Sequence, residues 1–168
     1  GLNQGSKVVI AAVGEKQREL PTTISTDFTL PHSFKNPAIA LPGILLVEGP
    51  TCSEYRPGED HNLLRFGEEF RVDDPINKFP LILIVDDSKF CTATLNNWLW
   101  VCFTRSNPAA DIYGIGSFSR AKHWGCTGSL LIDARSKPHH APALIENPEI
   151  EKQVDQLAVN GGPLQGII

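Results

Sequence analysis

Pro80-Leu81-Ile82-Leu83-Ile84-Val85-Asp86-Asp87 decides the fold. Unbroken aliphatic residues, entered from a proline and left through two aspartates, describe a strand buried on both faces, as in the middle of a parallel sheet. Its carboxyl end delivers Asp86 and Asp87 to the edge of the sheet where ligands of open α/β folds gather. The same two aspartates also suit structural work, with Asp87 or Ser88 capping a helix and a salt bridge running to Lys89 or Arg105. Beyond Thr92, apolar residues recur at Leu95, Trp98, Leu99, Cys102 and Phe103, which is the spacing of an amphipathic helix with Trp100 off the stripe. That helix has to end before Pro108. Asp111 to Ile115 then reads as a short strand interrupted by glycine, so residues 81–115 form a β-α-β unit.

Working outward, Lys7 to Val13 is a second apolar run of strand character. Arg18 to Pro37 is polar, and Pro21, Pro31 and Pro37 deny it a long helix. Ala38 to Val47 is either two short strands about Pro42-Gly43 or one strand with a bulge. Pro50 to Pro80 has much charge and little periodicity and is expected to be a long surface excursion. Ser129 to Asp133 is a further strand. Asn147-Pro148 places a cap and a first-turn proline at the start of a last helix, expected over 148–160, with Ile150, Val154, Leu157 and Ala158 as its buried stripe. The fold class expected is α/β, three-layered, with a mainly parallel sheet. Residues 1–168 read as one domain: an extended, loop-rich part (1–78), an α/β core (79–160) and a tail (161–168).

The chain has 168 residues and 18.4 kDa, a formal net charge of -4 and a pI near 5.7. No apolar run approaches the ~18 residues of a membrane span, so no membrane association is expected. Neither net charge nor any Lys/Arg-rich run favours nucleic acid. The four cysteines, Cys52, Cys91, Cys102 and Cys126, form no C-x-x-C pair and are expected as buried free thiols, which suits the cytoplasm, while their even number leaves two bridges as the alternative. Methionine is absent even at position 1, consistent with a removed initiator, a tag remnant or excision from a longer chain. Gly5 stands where a myristoylation signal needs Ser or Thr, and no signal peptide is expected.

Chemistry-bearing residues are sparse. Gly114-Ile115-Gly116 lacks the third glycine and the helix start of a dinucleotide loop. Lys122-His123-Trp124 precedes Gly125-Cys126 and suits an aromatic-acid pocket, with Trp124 as stacking face and Lys122 or His123 meeting a carboxylate. Equally, Trp124 and Cys126 suit a core. Adjacent His139 and His140 on an extended segment would point apart, so no metal is expected. Nor is there a G-x-S-x-G elbow, and Cys126 with His123 is no evidence of a dyad.

Several of these strings together resemble one family. Ile82-Leu83-Ile84-Val85-Asp86-Asp87, Trp98-Leu99-Trp100 running into Thr104-Arg105, Pro108, Asp111 and Ile132-Asp133-Ala134 resemble the carboxy-terminal domain of the UbiD family, the prenylated-FMN-dependent decarboxylases and carboxylases. The likeness spans about residues 80 to 138. Phe103 to Pro108, Lys122 to Cys126 and Pro138 to Pro142 are similar to the phenylphosphate and aryl carboxylase branch. The resemblance implies that Asp86, Asp87, Thr104, Arg105, Asp111 and Asp133 are structural motif residues. It also implies that prenylated FMN and the Glu-Arg-Glu proton-transfer set belong elsewhere. Glu68-Glu69 with Arg71 has those residue types, but a charged loop explains it. The function implied is a small accessory subunit in a hetero-oligomer with a large UbiD-like catalytic subunit, without flavin on this chain alone. The alternatives are a fragment of such a catalytic chain and a non-enzymatic α/β binding module.

Overall fold

In a computed structural model the described residues are 13–16, 18–141 and 147–167. The strand expected over Lys7 to Val13 lies outside them except for Val13, as does Pro142. The chain first turns back on itself at Pro42-Gly43, resolving the choice left open there. Lys35–Leu41 (β1) and Ile44–Glu48 (β2) pair antiparallel with Leu41 opposite Ile44, and Gly43 takes a φ of 80° that other residues resist.

Leu81–Val85 (β3) lies parallel to β2 on one side and to Leu130–Asp133 (β7) on the other. Ile112–Gly114 (β4) closes the far edge, antiparallel to β7, giving the order β1-β2-β3-β7-β4. The strand-helix-strand succession over 81–115 is thus present, with its final strand one place removed and reversed. A separate two-stranded hairpin is formed by Ser117–Arg120 (β5) and His123–Cys126 (β6).

The alternating side chains of the central strands supply two apolar layers. On one face Leu45, Val47, Ile82 and Ile84 join Leu63, Phe66, Ile76 and Phe79. On the other, Leu46, Leu83 and Val85 join Cys91, Trp98, Val101 and Cys102. The strands are buried on both sides because helices cover both, as their lack of polar alternation demands. A helix inside the expected excursion covers the first layer: His61–Glu69 (α1), followed by a 3-10 turn at Pro75–Lys78. The excursion is therefore corrected to a core element, and β1, β2 and α1 carry the packed core well before residue 79.

Ser88–Ala93 (α2) and Leu95–Arg105 (α3) cover the second layer. Thr94 is extended between them and caps α3 by accepting from the Asn97 amide at 3.0 Å. The buried stripe of α3 is Trp98, Val101 and Cys102, whereas Leu95 and Phe103, expected on it, are exposed. Pro148–Ala158 (α4) starts at its expected cap. None of its residues is buried, so the stripe expected at Ile150, Val154, Leu157 and Ala158 is corrected to an open face.

Candidate functional site

Charged side chains converge at the carboxyl ends of the parallel strands. Asp133 ends β7, and the extended chain beyond it alternates, so that Asp133, Arg135 and Lys137 fall on one side. The Arg135 guanidinium clasps Asp133 through Nε (2.8 Å to Oδ1) and Nη2 (2.9 Å to Oδ2). Nη2 also donates to Asp60 Oδ2 at 2.6 Å and Nη1 to the Pro50 carbonyl at 2.7 Å. Asp60 is at the same time the cap of α1, its Oδ1 accepting from the Asn62 and Leu63 amides. Burial opposes charge on Arg135, but Asp133 and Asp60 outweigh it and hold its pKa above the ordinary value.

Lys137 is likewise buried. Its Nζ donates to the carbonyls of Arg105 and Asp133, both at 2.7 Å, and stands 3.3 Å from Asp111 Oδ2 and 3.6 Å from Asp133 Oδ2. Asp111 Oδ2 also accepts from the Asn107 amide at 2.7 Å, while its buried Oδ1 has no hydrogen-bond partner among the described residues. Tyr55 stands beside that carboxylate. Burial first, and then the Asp111 charge, push its phenol up to about 12. Its ring meets His139 at 4.8 Å, and His139 meets His140 at 4.6 Å, so a turn brings together the histidines expected to point apart. His140 Nδ1 accepts the Lys137 amide at 3.1 Å, and burial followed by the His139 and Lys137 charges lowers its pKa. No cluster of three or more metal-ligating side chains occurs among the described residues.

The motif aspartates do structural work here. Asp86 Oδ2 accepts from Arg105 Nη1 at 2.7 Å and from the Ser136 amide at 2.8 Å. Asp87 caps α2 through the Phe90 amide at 2.8 Å. Thr104 turns its hydroxyl back to the Trp100 carbonyl at 2.6 Å, and Arg105 also lies over the Trp100 ring. Asp86, Arg105, Asp111 and Asp133 are thus joined in one region, with Lys137 bridging three of them. Asp60, Arg135 and Lys137 were missed in sequence, although the Asp133-Ala134-Arg135-Ser136-Lys137 alternation directly after an apolar strand was a readable signal.

Lys122, His123 and Trp124 lie apart from this cluster, on the hairpin. Strand pairing puts Trp124 on the opposite face from His123. Trp124 lines a groove of about 400 Å³ with Leu63, Leu64, Phe70 and Tyr113, and is 48% exposed. Lys122 and His123 are exposed at the turn.

Comparison with known proteins places this geometry in a context. Over most of its length, the chain is similar to part of a decarboxylase component. It is 25% identical over 155 residues to a Chlamydia pneumoniae protein named as a 4-hydroxybenzoate decarboxylase subunit, covering 92% of this chain and 24% of that one. Similar matches occur to uncharacterised proteins of Chlamydia caviae (26% identity, 88% of this chain and 23% of that one) and Chlamydia trachomatis (27%, 89% and 23%). The chain therefore spans about a quarter of the length of the curated relatives it matches. Among solved structures, the vanillic acid decarboxylase of Sedimentibacter hydroxybenzoicus in its open form overlaps with a TM-score of 0.38 at 18% identity, over 71% of this chain and 27% of that one. No family model matches.

A flavin phosphate finds no cradle in the glycine loop. A Cβ at Gly114 would lie 2.4 Å from Cys126 Cβ and 3.4 Å from the Trp124 ring, so the hairpin already covers that approach. Gly116 leads into β5, with no helix N-terminus to meet a phosphate. The residues present do not fit FMN at this loop. Burial raises the pKa of all four thiols, to about 11 for Cys91 and Cys102, so none of the four is an activated nucleophile. Chemically, the charge cluster can fix loops 49–60 and 133–141 against the sheet, and its fully buried cations are closed to a ligand.

Proposed function

We propose that this chain is the non-catalytic α/β part of a UbiD-type assembly that carboxylates or decarboxylates aromatic acids, working with a larger part that carries prenylated FMN. Coverage carries the reading: nine-tenths of the chain aligns with only a quarter of a protein named as a decarboxylase subunit. The closed charge cluster, the suppressed thiols and the covered glycine loop support a role in assembly or in completing an active-site mouth. In the leading form of the proposal the chain is a small accessory subunit of a hetero-oligomer. The decisive test is co-expression with a large UbiD-like chain of the same organism. A stable complex is expected, and a monodisperse monomer that ignores the large chain would defeat this form of the proposal.

The same coverage favours a second form, since the relatives carry the matched region within chains about four times as long. There the chain is one segment of the catalytic polypeptide. The intact mass of the native product separates the two forms: a value near 18.4 kDa supports the subunit, and a several-fold larger one the segment.

Of the residues expected to form a pocket, Trp124 remains the proposed one, with its groove as the place for an aromatic acid, whereas Lys122 and His123 lie at the hairpin turn and do not line that groove. Aromatic acids should raise the thermal midpoint of the wild type more than that of Trp124→Ala. Equal shifts would reduce Trp124 to a packing role.

A further inference from the structure

We infer that the outer face of the β5–β6 hairpin docks into an acidic cleft on the larger part of the assembly, with Phe118, Arg120 and Lys122 as the contact set. This rests on the assembly reading above and adds which surface meets the larger part and what chemistry receives it. Charge is the first argument. Between Ile112 and Ile132 the sequence has no acidic residue, although the whole chain carries a net charge of -4. Among the described residues, Arg120 and Lys122 have neither an ion pair nor a side-chain hydrogen bond, whereas Arg105, Arg135 and Lys137 are each held by carboxylates.

Placement is the second. Phe118 pairs with Gly125 and Arg120 with His123, so these side chains share the face turned away from Cys126 and Trp124. Phe118 lies across the bare glycine, its ring 2.7 Å from where a Cβ at Gly125 would stand, and it stays 48% exposed. An aromatic ring is thereby presented on the face that carries Arg120, with Lys122 in the turn that ends it. The turn is the third argument. Ala121 and Lys122 have φ of 51° and 67°, the left-handed pair for which Asn-Gly is the favoured sequence. A lysine held there keeps its cation at the tip, in a conformation that glycine would adopt more easily.

The tip is exposed and belongs to a sheet separate from the main one, so it suits a cleft supplied by another surface better than it suits a small ligand, which needs concavity of its own. Two permanent cations on an acidic chain are too few for a phosphate backbone. A protein cleft that places carboxylates around an apolar floor satisfies both the cations and Phe118.

The test is binding of the 168-residue chain to the large UbiD-like chain of the same organism, measured between roughly 50 and 300 mM KCl. Arg120→Glu/Lys122→Glu should weaken binding by about tenfold or more and remove most of its salt dependence, with an unchanged thermal midpoint. Ala121→Asn keeps both cations, suits the turn, and should bind as the wild type does. A complex of wild-type strength from the charge-reversed variant would overturn the inference and leave the assembly reading standing. Failure of the wild type to bind at all would remove the inference together with the accessory-subunit form of that reading.

Discussion

Arg135 shows how one side chain can hold a fold's functional edge in place. Its guanidinium joins the end of β7, the cap of α1 and the carbonyl that opens loop 50–60, all without exposure to solvent. Arg135→Met would leave Asp60 without its cation and Asp133 with Lys137 alone, 3.6 Å from Oδ2, and should cost about 3–5 kcal/mol, read as a lower urea midpoint. Arg135→Met with Asp133→Leu should recover part of that loss, because the buried charge left behind, rather than the missing contact, dominates the cost. The tyrosines give a pH test. The chain has two, Tyr55 and Tyr113, and burial is the first cause holding each at about 12 instead of the ordinary 10.0. In the unfolded chain both phenols release protons near the ordinary value while the folded state retains them, so stability should fall as pH rises through that window. Absorbance at the tyrosinate band should therefore stay flat through the ordinary phenol range and rise only near 12 or with unfolding. The thiols should likewise react slowly with a disulfide reagent in the folded protein and rapidly in denaturant.

Among the elements, legibility followed how much of the signal was local. The central strand, the cap of α4 and the Pro42-Gly43 turn were readable because the residues that make them are neighbours in sequence. Helix α1 was hidden: within its nine residues, Leu63 and Phe66 alone are buried, too short a repeat to stand out amid charge. Its cap, Asp60, is legible only once Arg135, remote in sequence, is known to share it. The α3 stripe was misplaced toward Leu95 and Phe103 because a period does not reveal which of two adjacent apolar faces meets the sheet. Helix α4 had a sound amphipathic pattern but has no buried residue, so periodicity identified the helix and misjudged its burial. Two outcomes follow at this scale. Thr94→Ala should cost about 1 kcal/mol through loss of the α3 cap. Removing residues 147–168 should barely move the thermal midpoint, and a large drop would show that the open face of α4 is packed in solution.

For the molecule as a whole, β2, β3 and β7 set the architecture and helices on both faces close it, while the chemistry at the strand ends is spent on holding loops. Asp86, Arg105, Asp111 and Asp133, quoted in the sequence for a family resemblance, come together in the fold with the geometry of a brace. What the sequence left illegible was the other half of the brace and the separation of Lys122 and His123 from Trp124 by the two faces of a hairpin. No helix among the described residues is long and apolar enough to cross a membrane. A braced domain whose α4 has no buried residue, and whose hairpin cations have no ion pair among the described residues, suits the proposed work against a larger body. The most direct measurement of that claim is the visible absorbance spectrum of the chain alone and of its co-expressed complex with the large UbiD-like chain, each separated by size. The account predicts a colourless isolated chain and a stable complex with flavin absorbance; a flavin spectrum and decarboxylase activity on the isolated chain would contradict it.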